Sequence, residues 1–272
     1  MIGFYDSGLG GLTILKEMVE ISPATALVYY GDTASCPLGE KSKEEIHSAV
    51  TKGVEFLFAQ GCSVVVLACN TATVTSVRQL QGKWLNRYPG RNVLGVVRPV
   101  SEELVEREIS PQDTIAILST NATSESGFYQ EELREAGYKN LVDIACPGLA
   151  AAIENRVEDE QRTLLQSYFA GVETTQIQHL VLACTHYPII RDIIHEEFVK
   201  AGGAATVEII CQSEIIPEKL IDYLIRHPEY ELKGQGVEMF VSKDPEGFEK
   251  KVLDIFDIRT KVVLAELVPA ST

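Results

Sequence analysis

The chain has 272 residues, of which 45% are hydrophobic and 23% are charged, a balance typical of a globular protein with a sizeable core. Its 24 basic and 39 acidic residues give a net charge of −15, which argues against a nucleic-acid partner because an acidic surface repels phosphates. No apolar run approaches the roughly 20 residues of a membrane helix, and no secretion signal is recognised. With only six cysteines, we expect a cytoplasmic protein with reduced thiols and no membrane association.

Apolar, β-branched segments alternate with longer amphipathic segments along the chain. The predicted strands are 2–5, 26–30, 64–68, 93–97, 114–119, 141–145, 179–183 and 206–210. The predicted helices are 10–21, 42–59, 71–87, 123–136, 161–172, 188–199 and 214–226, and 236–268 is typical of strand, short helix and strand. Continuous apolar strands that alternate with helices indicate parallel sheets covered on both faces, so we predict an α/β fold.

One sequence pattern occurs twice. Residues 64–73 are VVVLACNTAT and residues 179–188 are HLVLACTHYP, so an apolar strand, Leu-Ala-Cys and small polar residues recur 115 positions apart. The repeat predicts two related α/β lobes, each with a cysteine at the carboxyl end of a parallel strand, which is the edge where ligands bind. If the lobes face one another, Cys69 and Cys184 lie across one cleft.

A cysteine between a strand and a helix N-terminus is favoured as a thiolate by the helix dipole. A thiol and a thiolate across a cleft form a matched acid and base, suited to removing a proton from one face of a carbon and returning one to the other. Three other hypotheses stay open: a zinc site that includes Cys184 and His186, a nucleophilic cysteine with His186 as base, and a Cys69–Cys184 disulfide switch.

Small polar residues follow several predicted strands and indicate a small polar ligand, although helix capping accounts for some of them, Thr123 above all. Acidic residues near these turns could orient an ammonium group or polarise a thiol. The polar candidates are Ser7, Asn70, Thr71, Thr120, Thr123, Thr185 and His186, and the acidic candidates are Asp6, Asp32 and Glu154. Neither a nucleotide-binding glycine pattern nor another cofactor motif is found.

Four motifs in chain order resemble the glutamate racemase family, the cofactor-independent members of the aspartate/glutamate racemase superfamily. They are DSGLGGLT at 6–13, GDTA at 31–34, CNTA at 69–72 and CTHYP at 184–188. The resemblance covers essentially the whole chain and also includes 119–123 and Cys146-Pro147 followed by Glu154.

The resemblance implies two pseudo-symmetric α/β domains, 1–97 with 208–272 and 98–207, with the active site in the cleft between them. It implies a glutamate substrate, no cofactor or metal, a possible homodimer, and D-glutamate for peptidoglycan synthesis. The implied catalytic residues are the thiols Cys69 and Cys184 with Asp6, Asp32, Glu154 and His186. The implied substrate-binding residues are Asp6, Ser7, Pro37, Leu38, Gly39, Asn70, Thr71, Thr120, Thr123, Thr185 and His186.

Three positions depart from the family pattern. Leu38 replaces the tyrosine of a Pro-Tyr-Gly element, Thr73 replaces a common serine, and Arg98 brings a cation where the family often has glutamate. The alternatives are therefore racemisation of aspartate or another diacid and, from another functional class, a non-catalytic binding or regulatory protein on the same scaffold.

Overall fold

Parallel strands form two separate sheets in this computed structural model, which describes residues 1–230 and 234–266. The first sheet has the order β10-β9-β2-β1-β3-β4 and the second has the order β6-β5-β7-β8. The strands of the first sheet are β1 (Ile2–Asp6), β2 (Ala26–Gly31), β3 (Val64–Leu67), β4 (Asn92–Gly95), β9 (Gly236–Val241) and β10 (Val262–Leu264). The strands of the second sheet are β5 (Thr114–Ser119), β6 (Asn140–Ala145), β7 (His179–Ala183) and β8 (Glu208–Cys211).

Helices connect these strands. They are α1 (Leu12–Ile21), α2 (Lys43–Ala59), α3 (Asn70–Gln79), α4 (Arg98–Glu106), α5 (Asn121–Ser126), α6 (Phe128–Glu135), α7 (Leu149–Glu154), α8 (Glu158–Phe169), α9 (Arg191–Lys200), α10 (Gln212–Arg226) and α11 (Pro245–Phe256). Shorter helical turns lie at Leu38–Glu40, Leu80–Trp84, Leu85–Arg87, Thr174–Gln176 and Tyr187–Ile190. Within the described residues, no helix combines the length and apolar character needed to cross a membrane.

The predicted α/β fold with mainly parallel sheets is confirmed. Two predicted helices are shorter than expected. The helix expected at 71–87 ends as α-helix at Gln79, because the π-helical turn that follows loses helical backbone angles at Gly82. The helix expected at 123–136 is divided into α5 and α6 by Gly127, whose φ of 67° suits glycine. The predicted last strand extends to residue 268, and its final two residues lie outside the described part of the chain.

The chain divides into two units, residues 1–96 with 216–272 and residues 97–215. β8 pairs with β7 in the sheet of the second unit, with His179 opposite Glu208. The family resemblance implies that residues from 208 onward belong to the first domain, whereas the hydrogen bonds of β8 lie in the second sheet. A strand of only four residues carries no signal for the sheet that it joins, since pairing is decided by tertiary contacts.

Close packing between α2 and the first sheet depends on Gly53. A Cβ added there would overlap the ring of Tyr5 and lie 2.9 Å from the ring of Tyr30. These two tyrosines are paired neighbours on β1 and β2, and both are almost fully buried. Gly53 therefore lets the helix rest directly on two aromatic rings.

A buried carboxylate connects α8 and α9 in the second unit. The Glu197 side chain is fully buried and accepts hydrogen bonds from Arg162 at 2.8 Å, Lys200 at 2.7 Å and Gln166 at 2.9 Å. Burial opposes its charge, but these hydrogen bonds outweigh burial and lower the pKa of Glu197 to about 2. The ionised form therefore stabilises the fold.

We expect Glu197→Gln to lower the free energy of unfolding near neutral pH by about 1.5–3 kcal/mol, the range for hydrogen bonds to charged groups. Because the folded-state pKa lies below the ordinary 4.5, this stabilisation is present above pH 4.5 and is lost as the pH falls towards about 2. Urea unfolding followed by circular dichroism should show the difference between wild type and variant shrinking over that window. The control is Glu196→Gln, which removes an exposed contact with Arg162. A difference that stays constant with pH would contradict the expectation.

Candidate active site

The carboxyl ends of β1 and β3 are built like those of β5 and β7. Tyr5 pairs with Leu67 in the first sheet, and Leu118 pairs with Leu182 in the second. Each cysteine of the repeated motif lies two residues after the paired leucine, Cys69 after β3 and Cys184 after β7. The two units therefore place their motif cysteines at equivalent points of their own sheets.

Cys69 connects β3 to α3 as the residue that precedes the first helical turn. It is 7% exposed, and the Ser7 hydroxyl donates to its Sγ at 3.5 Å. Asn70 and Thr71 begin α3 and are buried. The thiol therefore lies at a helix N-terminus, where the dipole favours negative charge.

Asp6 ends β1 and is fully buried. Its Oδ2 accepts a hydrogen bond from the Gly8 amide at 2.9 Å, which fixes the turn that follows the strand. Gly11 approaches closely, since an added Cβ would lie 2.8 Å from the Cβ of Asp6. A larger residue at position 11 would displace Asp6 from the strand end.

Asp32 follows β2 and is 4% exposed. Its amide donates to the Asp6 carbonyl at 2.8 Å, so the sheet pairing extends one step past the strand. Its side chain accepts from the Ser242 hydroxyl at 2.7 Å and from the Tyr5 hydroxyl at 3.4 Å. Sequence reasoning missed both donors: Tyr5 has the pattern of an ordinary strand residue, and Ser242 is far away in the sequence.

Charge and burial together keep the neighbouring phenols neutral. Burial, followed by the negative charges of Asp32 and Cys69, raises the pKa of Tyr5 well above its usual range. Burial and Asp32 likewise raise the pKa of Tyr30. Both phenols therefore stay protonated over the physiological range.

The segment 37–39 follows Asp32 in a loop. Pro37 is exposed, Gly39 is half-buried, and Leu38 is only 2% exposed at the start of a short helical turn. Leu38, which departs from the family pattern, is therefore a buried apolar residue.

Cys184 directly follows β7 and is 6% exposed. The Nδ1 atom of His186 lies 3.8 Å from its Sγ, and the Nε2 atom of His186 lies 2.9 Å from Oε1 of Glu154. Glu154 is the last residue of α7. The structure therefore aligns thiol, imidazole and carboxylate in one chain of contacts.

The contacts with Cys184 and Glu154 raise the pKa of His186. Burial disfavours the imidazolium, but the hydrogen bonds with Cys184 and Glu154 outweigh it and hold the pKa of His186 well above its usual range. An imidazolium donates from both ring nitrogens, which suits a thiolate on one side and a carboxylate on the other.

The buried residues around Cys184 stay protonated. Burial and the charge of Cys184 raise the pKa values of Tyr129 and Cys146. Cys146 occupies the place in the second sheet that Asp32 occupies in the first, since its amide donates to the Ser119 carbonyl at 2.8 Å. The thiol of Cys184 is therefore accompanied by a histidine–carboxylate pair, whereas the thiol of Cys69 accepts from the Ser7 hydroxyl.

The remaining candidates of the second unit lie beside the same strand ends. Thr120 precedes α5, and its Oγ1 accepts from the Thr123 amide at 3.4 Å, which is a helix cap. Thr185 is buried between Cys184 and His186.

Arg98 forms an ion pair with Glu132 at 3.3 Å. No group of three His, Cys, Asp or Glu residues that could hold a metal ion occurs in residues 1–230 and 234–266.

Comparison with known proteins points to one family. A profile of the Asp/Glu/hydantoin racemase family matches residues 9–211. A glutamate racemase from Jannaschia sp. is 34% identical over 266 residues, which cover 92% of this chain and 94% of the relative. One from Paracoccus denitrificans is 36% identical over 260 residues, which cover 90% and 92%.

Solved structures agree with these sequence relatives. Glutamate racemase RacE1 from Bacillus anthracis superposes with a TM-score of 0.87 at 28% identity, covering 98% of this chain and 97% of that one. Glutamate racemase from Thermus thermophilus, solved with β-chloro-D-alanine, gives a TM-score of 0.81 at 26% identity, covering 98% and 96%. The chain therefore belongs to the Asp/Glu/hydantoin racemase family and is similar to its glutamate racemases over nearly its whole length.

Proposed function

We propose that this protein interconverts L-glutamate and D-glutamate with Cys69 and Cys184 as its two acid–base groups. The observation that carries the proposal is the repeated placement of a buried cysteine at the carboxyl end of the equivalent strand in each sheet. Glutamate is proposed as the substrate because the relatives that match nearly the whole chain are glutamate racemases.

Racemisation moves one proton off Cα and another onto the opposite face. One cysteine thiolate takes the Cα proton, the C–H electron pair stays on the substrate as a carbanion, and the other cysteine thiol donates its proton to the other face. The reverse reaction exchanges the two roles, so each group must act as both acid and base. The mechanism requires both thiols to reach opposite faces of one Cα, and we propose the two units as the domains that supply one thiol each.

The carbanion next to a carboxylate is the difficult intermediate. General acid–base catalysis contributes about 10²–10⁴-fold, so donors directed at the substrate carboxylate must stabilise the developing charge as well. The buried hydroxyl and amide side chains that follow the strands suit this role, namely Ser7, Asn70, Thr71 and Thr185. The segment 37–39, together with Thr120, Thr123 and His186, completes the proposed substrate contacts.

The two thiols receive different support. We propose that His186, held by Glu154, favours the thiolate of Cys184 through its positive charge. Cys69 has the Ser7 hydroxyl as a donor to its Sγ, and Asp6 and Asp32 follow β1 and β2 at the same edge of the sheet. The reaction proceeds without pyridoxal phosphate, and the D-glutamate formed in a bacterial cytoplasm supplies peptidoglycan synthesis.

The first test is hydrogen exchange at Cα. In D₂O without added cofactor, we expect L-glutamate to lose its Cα proton signal in NMR spectra and D-glutamate to appear in chiral analysis. L-Aspartate in a parallel sample should stay unchanged. Exchange with aspartate alone would show that the substrate is aspartate and not glutamate. No exchange with either amino acid by folded, reduced protein would contradict the proposal.

The second test concerns the thiols. Because removing either cysteine removes one of the two proton-transfer groups, Cys69→Ser and Cys184→Ser should each lower the rate of racemisation by about 10²–10⁴-fold. Cys62→Ala, which changes another buried cysteine of the first unit, serves as the matched control and should retain activity. Racemisation that survives loss of Cys69 or Cys184 would overturn the two-thiol mechanism.

The third test concerns Glu154. Glu154→Gln removes the carboxylate that favours the imidazolium, so the pKa of His186 should fall and the imidazolium should be lost at a lower pH. We expect the alkaline limb of the kcat/KM profile to move to lower pH by about one unit, the effect of one charged partner. Glu158→Gln, which changes an exposed glutamate paired with Arg162, is the control. An unchanged alkaline limb in Glu154→Gln would remove Glu154 from the mechanism.

A further inference from the structure

We propose that Thr73 is a positioning residue for Cys69, because its hydroxyl and its amide hold the backbone on both sides of that cysteine. The inference rests on the proposed function for the role of Cys69 and extends it to a residue outside the proposed catalytic and substrate-binding sets. Thr73 lies near the start of α3 and is 1% exposed, so its polar groups are shielded from water.

The peptide group that joins Leu67 to Ala68 is held from two sides. Its carbonyl oxygen, on Leu67, accepts from the Thr73 hydroxyl at 2.8 Å. Its N–H, on Ala68, donates to the Tyr5 carbonyl at 2.8 Å. Because a peptide group is planar, these two opposed hydrogen bonds fix its orientation and the direction in which the chain leaves β3. Cys69 is the next residue along this path.

Thr73 also holds the chain after the cysteine. Its amide donates to the Cys69 carbonyl at 2.9 Å, which is the first hydrogen bond of α3. The side chain and the main chain of one residue therefore bind the segments before and after Cys69. The cysteine lies between them in extended backbone, with φ of −70° and ψ of 126°, so its position depends on both contacts.

The orientation of the Thr73 side chain is set by two neighbours that follow one another at the end of β4. Its Oγ1 accepts from the Val96 amide at 3.4 Å, which leaves the hydroxyl proton for the Leu67 carbonyl. A Cβ added to Gly95 would lie 2.6 Å from Cγ2 of Thr73, so the absence of a side chain at Gly95 makes room for this methyl group. A β-branched side chain with both branches engaged is held in one rotamer.

The rate of proton transfer depends on where the thiol lies relative to Cα. A misplacement of about 1 Å can lower a catalysed rate about 10²-fold. The Ser7 hydroxyl, which donates to Sγ at 3.5 Å, contacts the thiol itself, whereas Thr73 holds the backbone that carries it. Thr73 therefore acts on the reaction through the position of Cys69.

A purely structural explanation is that the Thr73 hydroxyl only stabilises the fold. Thr73→Val removes the hydroxyl and nearly keeps the shape of the side chain, while Thr73→Ser keeps the hydroxyl. Thr174→Val is the matched control, because Thr174 is 2% exposed and its hydroxyl donates to the Ala201 carbonyl at 2.7 Å. Thr174 precedes β7, whereas Cys184 follows that strand, so the control removes a similar buried bond at the other end of it.

The first measurement is kcat/KM for L- and D-glutamate, together with its isotope effect for substrate deuterated at Cα. We expect Thr73→Val to lower kcat/KM about 10- to 100-fold, whereas Thr73→Ser and Thr174→Val should stay close to wild type. If Cys69 is misplaced, its proton transfer limits the rate. The isotope effect should then rise in the direction in which Cys69 removes the Cα hydrogen and fall in the other direction.

A loss of folded protein would lower the measured rates in both directions and leave both isotope effects at their wild-type values. That pattern in Thr73→Val would contradict the positioning role, and so would a wild-type kcat/KM.

The second measurement needs no racemase activity. Hydrogen exchange of the Ala68 and Thr73 amides is followed by mass spectrometry with fragmentation that resolves single residues. In Thr73→Val we expect both amides to exchange about 2- to 10-fold faster, since one neutral hydrogen bond changes an equilibrium by about that factor. Thr73→Ser and Thr174→Val should keep the wild-type rates.

Unchanged exchange at both amides in Thr73→Val would overturn the inference. Faster exchange in a protein that does not racemise glutamate would overturn the proposed function and leave the contacts of Thr73 around Cys69 standing.

Discussion

Parallel strand pairing is the constraint on which the rest of the structure depends. It brings the carboxyl ends of strands that are distant in sequence to one edge, and the hydrogen bonds continue past the strands. The amide of Asp32 bonds to the carbonyl of Asp6, and the amide of Cys146 bonds to the carbonyl of Ser119, both at 2.8 Å. These backbone hydrogen bonds fix the residues that follow the strands, so their polar side chains lie at defined positions along the carboxyl edge of the sheet.

The same scaffold carries two different electrostatic environments. In the first unit, Asp6 ends β1 and Asp32 follows β2, and the hydroxyls of Ser242 and Tyr5 donate to Asp32. In the second unit, His186 and Glu154 place a proton carrier beside Cys184. In the proposed mechanism each direction begins with one thiol protonated and the other ionised, and unlike neighbours would favour one of these two states over the other.

The fold could be predicted from the sequence because buried parallel strands are continuous apolar runs, as at Val64–Leu67 and His179–Ala183. The same runs locate Cys69 and Cys184 at strand ends, and short local motifs identify Asp6 and His186. The contact between Glu154 and His186 could not be predicted, because α7 is short and a contact across 32 residues depends on tertiary packing. Tyr5 and Ser242 were missed for a related reason: a tyrosine in an apolar strand is typical of a core residue, and only the assembled sheet brings its hydroxyl to a carboxylate.

The packing of Gly53 against Tyr5 has a consequence for attempts to stabilise the protein. Replacing a glycine inside a helix with alanine is a standard stabilising substitution, since it restricts the unfolded chain. At Gly53 the added methyl group would overlap the ring that carries the hydroxyl donor to Asp32. Helix propensity and site geometry therefore oppose one another at this position, and thermostabilised variants should be sought at other glycines.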